Sequence, residues 1–156
     1  MQIEQLSIRL TAQLRALSRI LQDGSPETIR ARPVPDKWSA HENLAHLARH
    51  HDVFVKRLDR ILREDGPRLP RYLAEEDPEW PEWRALSTDE LLIRLKKLRD
   101  QLTQRIESLS PAQLVRVGVH PTFGEMTVVQ WVEFFLLHEA HHLYVMMKRL
   151  GQARRT

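Results

Sequence analysis

Apolar residues recur along this chain at spacings of three and four positions, the period that places them on one face of an amphipathic helix. Four segments carry the pattern, and they span about 3–21, 40–63, 89–109 and 128–150. No alternating pattern of useful strand length lies between them. The sequence therefore predicts an all-α protein, a four-helix bundle.

Three of the four helices are predicted to begin at a capping box. In this motif a Ser or Thr side chain and a Glu or Gln side chain three positions later satisfy each other's free backbone N–H groups. The pairs are Ser39 with Glu42, Ser87 with Glu90, and Thr127 with Gln130.

The connections between the helices are long, at about 22–38, 64–86 and 110–126. A bundle in which every neighbouring pair runs antiparallel needs only short turns. The middle connection is long enough to cross the length of the bundle, which allows the second and third helices to run parallel. We therefore predict an up-down-down-up bundle with a long crossing loop between helices 2 and 3.

Composition narrows the functional classes by exclusion. At 156 residues we expect one domain over 1–156, and the absence of cysteine excludes disulfides, thiolate metal sites and a cysteine nucleophile. The net charge of +3 is spread along the helices, so we expect no nucleic-acid partner. The longest apolar stretch, 131–137, is too short to span a bilayer. Charged residues interrupt the apolar stripe of the first helix, so we expect no secretory signal there. We expect a cytoplasmic protein without a membrane partner.

The most informative motif is HEAHH at 138–142, inside the fourth helix. His138 and His142 are four positions apart, so they share one helix face and can chelate one divalent cation. His46 on the second helix is a candidate third ligand. Its distance from the helix start matches that of the pair from the end of the fourth helix, so the three histidines meet if these helices are antiparallel.

The same run matches H-E-x-x-H, the zinc metalloprotease pattern, in which the glutamate activates a water molecule. A protease of this kind takes a third ligand downstream, but the fourteen residues after His142 contain no His, Asp or Glu. We therefore do not expect a protease. Glu139 remains a candidate general base, with a role in orienting a ligand and a surface position as alternatives.

The other histidines receive less specific interpretations. His50 could be a fourth ligand or could orient one, although a partly exposed helix position is favoured. His51 continues an apolar stripe and is expected in the core, whereas His41 is expected to face solvent and His141 to face away from the metal. His120 lies in a predicted loop and receives no role.

Trp80 and Trp83 lie on the predicted crossing loop. They could form the wall of a pocket for an apolar substrate group, or they could fix the loop to the bundle. The sequence does not favour either interpretation.

Two segments together resemble the signatures of the DinB/YfiT-like family of metal-binding helix bundles. The first is KWS at 37–39 followed by ENLAHL at 42–47, and the second is VEFFLLHEAHH at 132–142 with LGQ at 150–152. Their order and separation match the family over nearly the whole chain.

The resemblance implies an up-down-down-up bundle, often a homodimer, with a divalent cation, commonly zinc or nickel, bound by His46, His138 and His142. It also implies a small-molecule substrate and a metal-dependent enzyme, either a hydrolase or an S-transferase that uses a low-molecular-weight thiol such as bacillithiol, mycothiol or glutathione. The alternative is a metal-binding module with a structural or sensing role.

Overall fold

The protein is described by a computed structural model that covers residues 2–156. Its helices are Gln2–Leu14 (α1), Ala16–Leu21 (α2), Pro26–Arg30 (α3), Ala40–Arg63 (α4), Trp80–Ala85 (α5), Thr88–Glu107 (α6), Pro111–Leu114 (α7) and Val128–Ala153 (α8). A 3-10 helix spans Ala74–Glu76, and two short strands span Val117–His120 (β1) and Gly124–Thr127 (β2). The bundle consists of α1 with its continuation α2, α4, α6 and α8, which confirms the predicted all-α class.

Side-chain contacts give the direction of each long helix. The ring of His46 lies beside that of His142, and one turn later His50 lies beside His138, so α4 and α8 are antiparallel. In contrast, Arg99 and Arg105 of α6 contact residues in the same order along α4, so these two helices are parallel.

The first helix completes the arrangement between α6 and α8. Arg9 pairs with Glu133, and Gln13 donates to the carbonyl of Leu136, so α1 runs in the same direction as α8. The topology is therefore up-down-down-up, as predicted.

Helix starts are set by local hydrogen bonds. All three predicted capping boxes form, at the starts of α4, α6 and α8. Ser25 and Ser110 form two further boxes at the short helices α3 and α7. Helix α8 continues three residues beyond its predicted end.

The expectation that strands are absent is wrong for one short hairpin. Strands β1 and β2 pair antiparallel, with Val117 opposite Thr127, and the crossing loop adds a bond from the Leu69 N–H to the Val119 carbonyl. Each strand has only four residues, too few to produce a recognisable alternating pattern. The hairpin leads directly into α8 and joins the crossing loop to it.

The core consists of two apolar clusters at opposite ends of the bundle. One contains Leu10, Phe54 and Phe135, and the other contains Leu47, Leu95 and Leu143. Polar side chains fill the level between them on all four long helices. These residues are Gln13, His46, His50, His51, Arg99, His138, Glu139 and His142.

Membrane-spanning length and apolarity are not combined in any helix of the described residues.

Candidate functional site

Three histidines from two helices meet in the polar level of the bundle. His46 extends from α4, and His138 and His142 extend from successive turns of α8. One ring nitrogen from each lies within 4.8 Å of the other two. The sequence-predicted ligand set is therefore brought together by the fold.

The spacing of these nitrogens suits one metal ion. Nε2 of His46 and Nε2 of His138 are 3.1 Å apart. Two imidazoles bound tetrahedrally at bond lengths of about 2.0–2.1 Å have their nitrogens roughly 3.3 Å apart. The donor set, three imidazoles without a thiolate, suits a divalent transition metal such as zinc, nickel, cobalt, copper or iron.

Asn43 fixes the tautomer of His142. Its side-chain NH₂ donates to the Ser39 carbonyl at 2.8 Å, so its amide oxygen faces His142 Nδ1, also at 2.8 Å. Because an amide oxygen only accepts, Nδ1 of His142 is the donor and Nε2 keeps the lone pair that a metal needs. Sequence reasoning missed Asn43, although it lies one turn before His46.

Burial keeps the three histidines neutral. It lowers the pKa of His46 to about 2, with His142 and His138 adding to the effect. It also lowers the pKa of His142 to about 3 and that of His138 to about 4. Metal binding requires unprotonated imidazole, so at neutral pH burial leaves these three rings in the form that can bind a metal.

Aromatic rings form one wall of this site. The Trp38 ring lies 5.1 Å from the His46 ring and 5.1 Å from that of Trp80, which meets His46 edge-on at 6.4 Å. The Tyr72 ring stacks on His46 at 5.7 Å. Of the two tryptophans on the crossing loop, Trp80 therefore belongs to the wall of the site.

Trp83 has the second role considered for it, which is to fix the crossing loop to the bundle. Its indole N–H donates to Glu79 at 3.4 Å, and the Arg94 guanidinium of α6 lies over its ring at 5.2 Å. It is buried and fixes α5 to the bundle.

A buried ion pair holds the crossing loop over the histidines. Arg49 of α4 donates from Nε to Asp77 Oδ2 at 2.6 Å and from Nη2 to Oδ1 at 3.2 Å. Tyr72 O–H donates to the same carboxylate at 2.8 Å. The sequence carries no signal for this contact, because 28 positions separate Arg49 from Asp77.

Two interpretations of histidines are wrong, because tertiary contacts bury both rings. His50 is 3% exposed, and its ring lies 4.1 Å from that of His138, although its nitrogens do not join the three that converge. His41 is also buried, within 3.1 Å of both Thr88 Oγ1 and the carbonyl oxygen of Arg84.

The remaining histidines divide into a core residue, a surface residue and a strand residue. His51 is fully buried and His141 is exposed, as expected. His120, expected in a loop, is the last residue of β1 and is 7% exposed.

Glu139 is fully buried, so the surface position considered for it is wrong. It lies on another face of α8 from its histidine neighbours. Its carboxylate accepts from the Arg99 guanidinium and, at 2.9 Å, from the amide of Gln13. His51 lies 3.5 Å away. The general-base role of Glu139 stays a prediction, whereas the partners observed are those of a structural ion pair between α8, α6 and α1.

Comparison with known proteins agrees with this architecture. The sequence profile of the DinB superfamily matches residues 9–146. The chain is 30% identical over 132 residues to the uncharacterized protein YuaE of Bacillus subtilis. The aligned region covers 76% of this chain and 81% of YuaE. It is 26% identical over 105 residues to a Bacillus mycoides protein whose name proposes a metal-dependent hydrolase, covering 67% and 60% of the two chains.

Solved structures share the bundle. YfiT from Bacillus subtilis, whose description proposes a metal-dependent hydrolase with an unusual four-helix bundle topology, aligns with a TM-score of 0.79 at 18% identity, over 98% of this chain and 86% of YfiT. The four-helix bundle protein TT2238 aligns with a TM-score of 0.67 at 25% identity, over 92% and 97% of the chains. Since the family profile spans most of the sequence, this chain belongs to the DinB superfamily.

Proposed function

We propose that this protein is a metal-dependent enzyme that acts on a small electrophilic molecule, as a hydrolase or a thiol-dependent S-transferase. His46, His138 and His142 would hold one divalent ion, zinc or nickel. The convergence of their ring nitrogens within 4.8 Å carries the proposal. The metal-dependent hydrolase names of the Bacillus mycoides relative and of YfiT support it.

Three protein ligands leave a coordination position for a water, a thiol or a substrate atom. When bound, the ion would lower the pKa of a water or thiol in that position and so supply a nucleophile at neutral pH. Asn43 would hold His142 in the binding tautomer, and the rings of Trp38, Tyr72 and Trp80 would limit access of bulk water. Because the chain contains no cysteine, sulfur transfer would require an external thiol.

Metal content tests the ligand set directly. The experiment is elemental analysis of untagged protein purified without chelator, comparing wild type with His142→Ala. We expect about one transition-metal ion per chain in wild type, from the single three-imidazole site, and its loss in the variant. The matched control is His141→Ala, which removes the exposed neighbouring ring and should leave the metal in place. Wild type that binds neither zinc nor nickel on reconstitution would overturn the proposal.

Whether a bound metal has a coordination position open to an added ligand distinguishes a catalytic site from a structural one. Cobalt-substituted protein should change its visible absorption spectrum when a low-molecular-weight thiol is added, because an open position accepts the thiolate. A spectrum insensitive to thiol and to azide would indicate a closed site and favour the structural alternative. Turnover of a chromogenic ester with water, or of an activated aryl chloride with thiol, would then separate hydrolysis from S-transfer.

A further inference from the structure

Arg57 differs from the other buried arginines of the bundle. Arg49 and Arg99 pair with carboxylates, but Arg57, at 8% exposure, pairs with none within residues 2–156. Its one hydrogen bond runs from Nη2 to the Pro70 carbonyl at 2.6 Å. A buried cation without a counter-ion costs stability. The Pro70 carbonyl and the Trp131 ring are neutral partners that do not balance its charge, so an anion from outside the chain would stabilise it.

The position of Arg57 relates it to the three histidines. It lies seven positions after His50 on α4, two helical turns, or about 10 Å, along the axis. Long helical side chains lean toward the helix N-terminus, which here is the direction of His50. Across the helix interface, its guanidinium lies over the Trp131 ring at 5.8 Å, and Trp131 is two turns before His138.

His120 adds a hydrogen-bond donor next to the same tryptophan. Its ring lies 5.5 Å from that of Trp131 and 5.2 Å from that of Phe134, which in turn is 6.4 Å from His138. Nδ1 of His120 accepts from the backbone N–H groups of residues 122 and 123 at 3.0 and 3.2 Å. The proton of the neutral ring is therefore on Nε2, which can donate.

The surroundings of His120 are electropositive. Burial lowers the pKa of His120, and the positive charges of Arg57 and Arg71 lower it further. Arg71 is exposed, and it forms no ion pair with a carboxylate of the described chain. Arg57 and Arg71 thus give the His120 ring an electropositive setting, and neither is paired with a carboxylate within residues 2–156.

We propose that Arg57, assisted by His120, is an anion subsite that binds the carboxylate of an apolar substrate. The Phe134 ring lies next to both His120 and His138, and the Tyr72 ring lies next to His46 and His50. Both rings can contact the apolar body of a substrate that extends from Arg57 to the histidines. The placement of the reacting end at the three histidines rests on the proposed function. Carboxylate binding at Arg57 does not depend on it.

The test is calorimetric titration of the metal-free and the zinc-loaded protein with phenylacetate, its uncharged analogue phenylacetamide, and inorganic phosphate. We expect phenylacetate to bind both forms, and Arg57→Gln to weaken that binding about tenfold or more, since hydrogen bonds to charged groups are the strong class. Arg57→Lys should be intermediate. The matched control is Arg63→Gln, an exposed arginine on the same helix, which should bind as wild type does.

Several outcomes overturn the subsite. The first is that wild type does not bind phenylacetate at millimolar concentration. The second is that phenylacetamide binds as tightly as phenylacetate, and the third is that Arg57→Gln binds phenylacetate as tightly as wild type does. Tighter binding of phosphate than of phenylacetate would reject the carboxylate assignment. Unfolding of Arg57→Gln well below the wild-type temperature would overturn the subsite and assign Arg57 a structural role, which is to hold the Pro70 carbonyl and the Trp131 ring.

Failure of the two proposals can be told apart. If no metal binds but phenylacetate binding still requires Arg57, the anion subsite stands and the metal enzyme fails. If metal binds at the histidines but Arg57→Gln has no effect on phenylacetate, the reverse holds.

Discussion

The smallest unit of the site that can be tested is the hydrogen bond from His142 to Asn43. Asn43→Ala would remove the acceptor and leave the Nδ1–H of His142 without its partner, so the ring would lose both its fixed tautomer and its orientation. Loss of such a supporting contact typically weakens metal binding by roughly 10- to 100-fold. We expect this loss in a zinc competition titration against a chromophoric chelator.

The control for Asn43 is Asn43→Asp, which loses the bond to the Ser39 carbonyl but keeps an oxygen that accepts from His142. It should retain more of the zinc affinity than Asn43→Ala does. Equal zinc affinity of Asn43→Ala and wild type would show that the bond does not support the site. Circular dichroism of the metal-free variants would check that each remains helical.

At the residue scale, the sequence predicted the three histidines that converge but not the residues that support them. His138 and His142 are found by their spacing on one helix, and His46 by its matching position on an antiparallel partner. Asn43 acts through a contact across 99 positions, and Tyr72 through the packing of a loop. Neither kind of contact produces a periodic pattern, so these residues could not be assigned before the structure.

At the scale of the elements, Glu139 and Arg99 join α8 to α6 inside the core. Removing one partner leaves an uncompensated buried charge, so we expect Glu139→Ala to lower the free energy of unfolding by about 3 kcal/mol or more. The double variant with Arg99→Met removes both charges and should recover a large part of that loss. Urea unfolding of the single and double variants as a double-mutant cycle measures the coupling.

That cycle also examines the general-base prediction for Glu139. If the ion pair is its main role, the double variant should regain stability and keep its metal. Additive losses in the cycle would show that Arg99 and Glu139 act independently and would contradict the structural assignment.

The long helices could be predicted because their information is local, in apolar spacing and in capping boxes. The hairpin and α5 could not be predicted, because each strand has four residues and α5 has six, too few for a recognisable period. Their positions depend on distant contacts, such as the pairing of Leu69 with Val119 and the packing of Trp83 against Arg94. The crossing-loop topology was predictable only because the loop is too long for a tight turn.

At the scale of the whole molecule, a polar level that separates two apolar clusters links folding to pH. Burial is the first cause that lowers the pKa of each histidine in this level, to about 2 for His46, about 3 for His51 and His142, and about 4 for His138. In the unfolded chain these rings have an ordinary pKa near 6.5. Between these values the unfolded state binds more protons than the folded state.

The sign of the effect follows from proton linkage. Stability is fully present above about pH 6.5 and falls as the pH is lowered toward the folded-state values. Each histidine contributes a slope of about 1.4 kcal/mol per pH unit, and four together approach roughly 5–6 kcal/mol per unit. Since a domain of this size has a stability of about 5–15 kcal/mol, we expect the metal-free protein to unfold cooperatively between about pH 6 and 4.

The measurement is an acid titration of helicity by circular dichroism, with and without zinc. Zinc competes with protons for His46, His138 and His142, so it should move the unfolding midpoint to lower pH. His142→Ala should abolish that shift, whereas the control His141→Gln should keep it, because its exposed ring lies outside the polar level. A metal-free protein that stays helical to pH 3 would show that the buried histidines accept protons without unfolding, which would contradict the coupling argued from their burial.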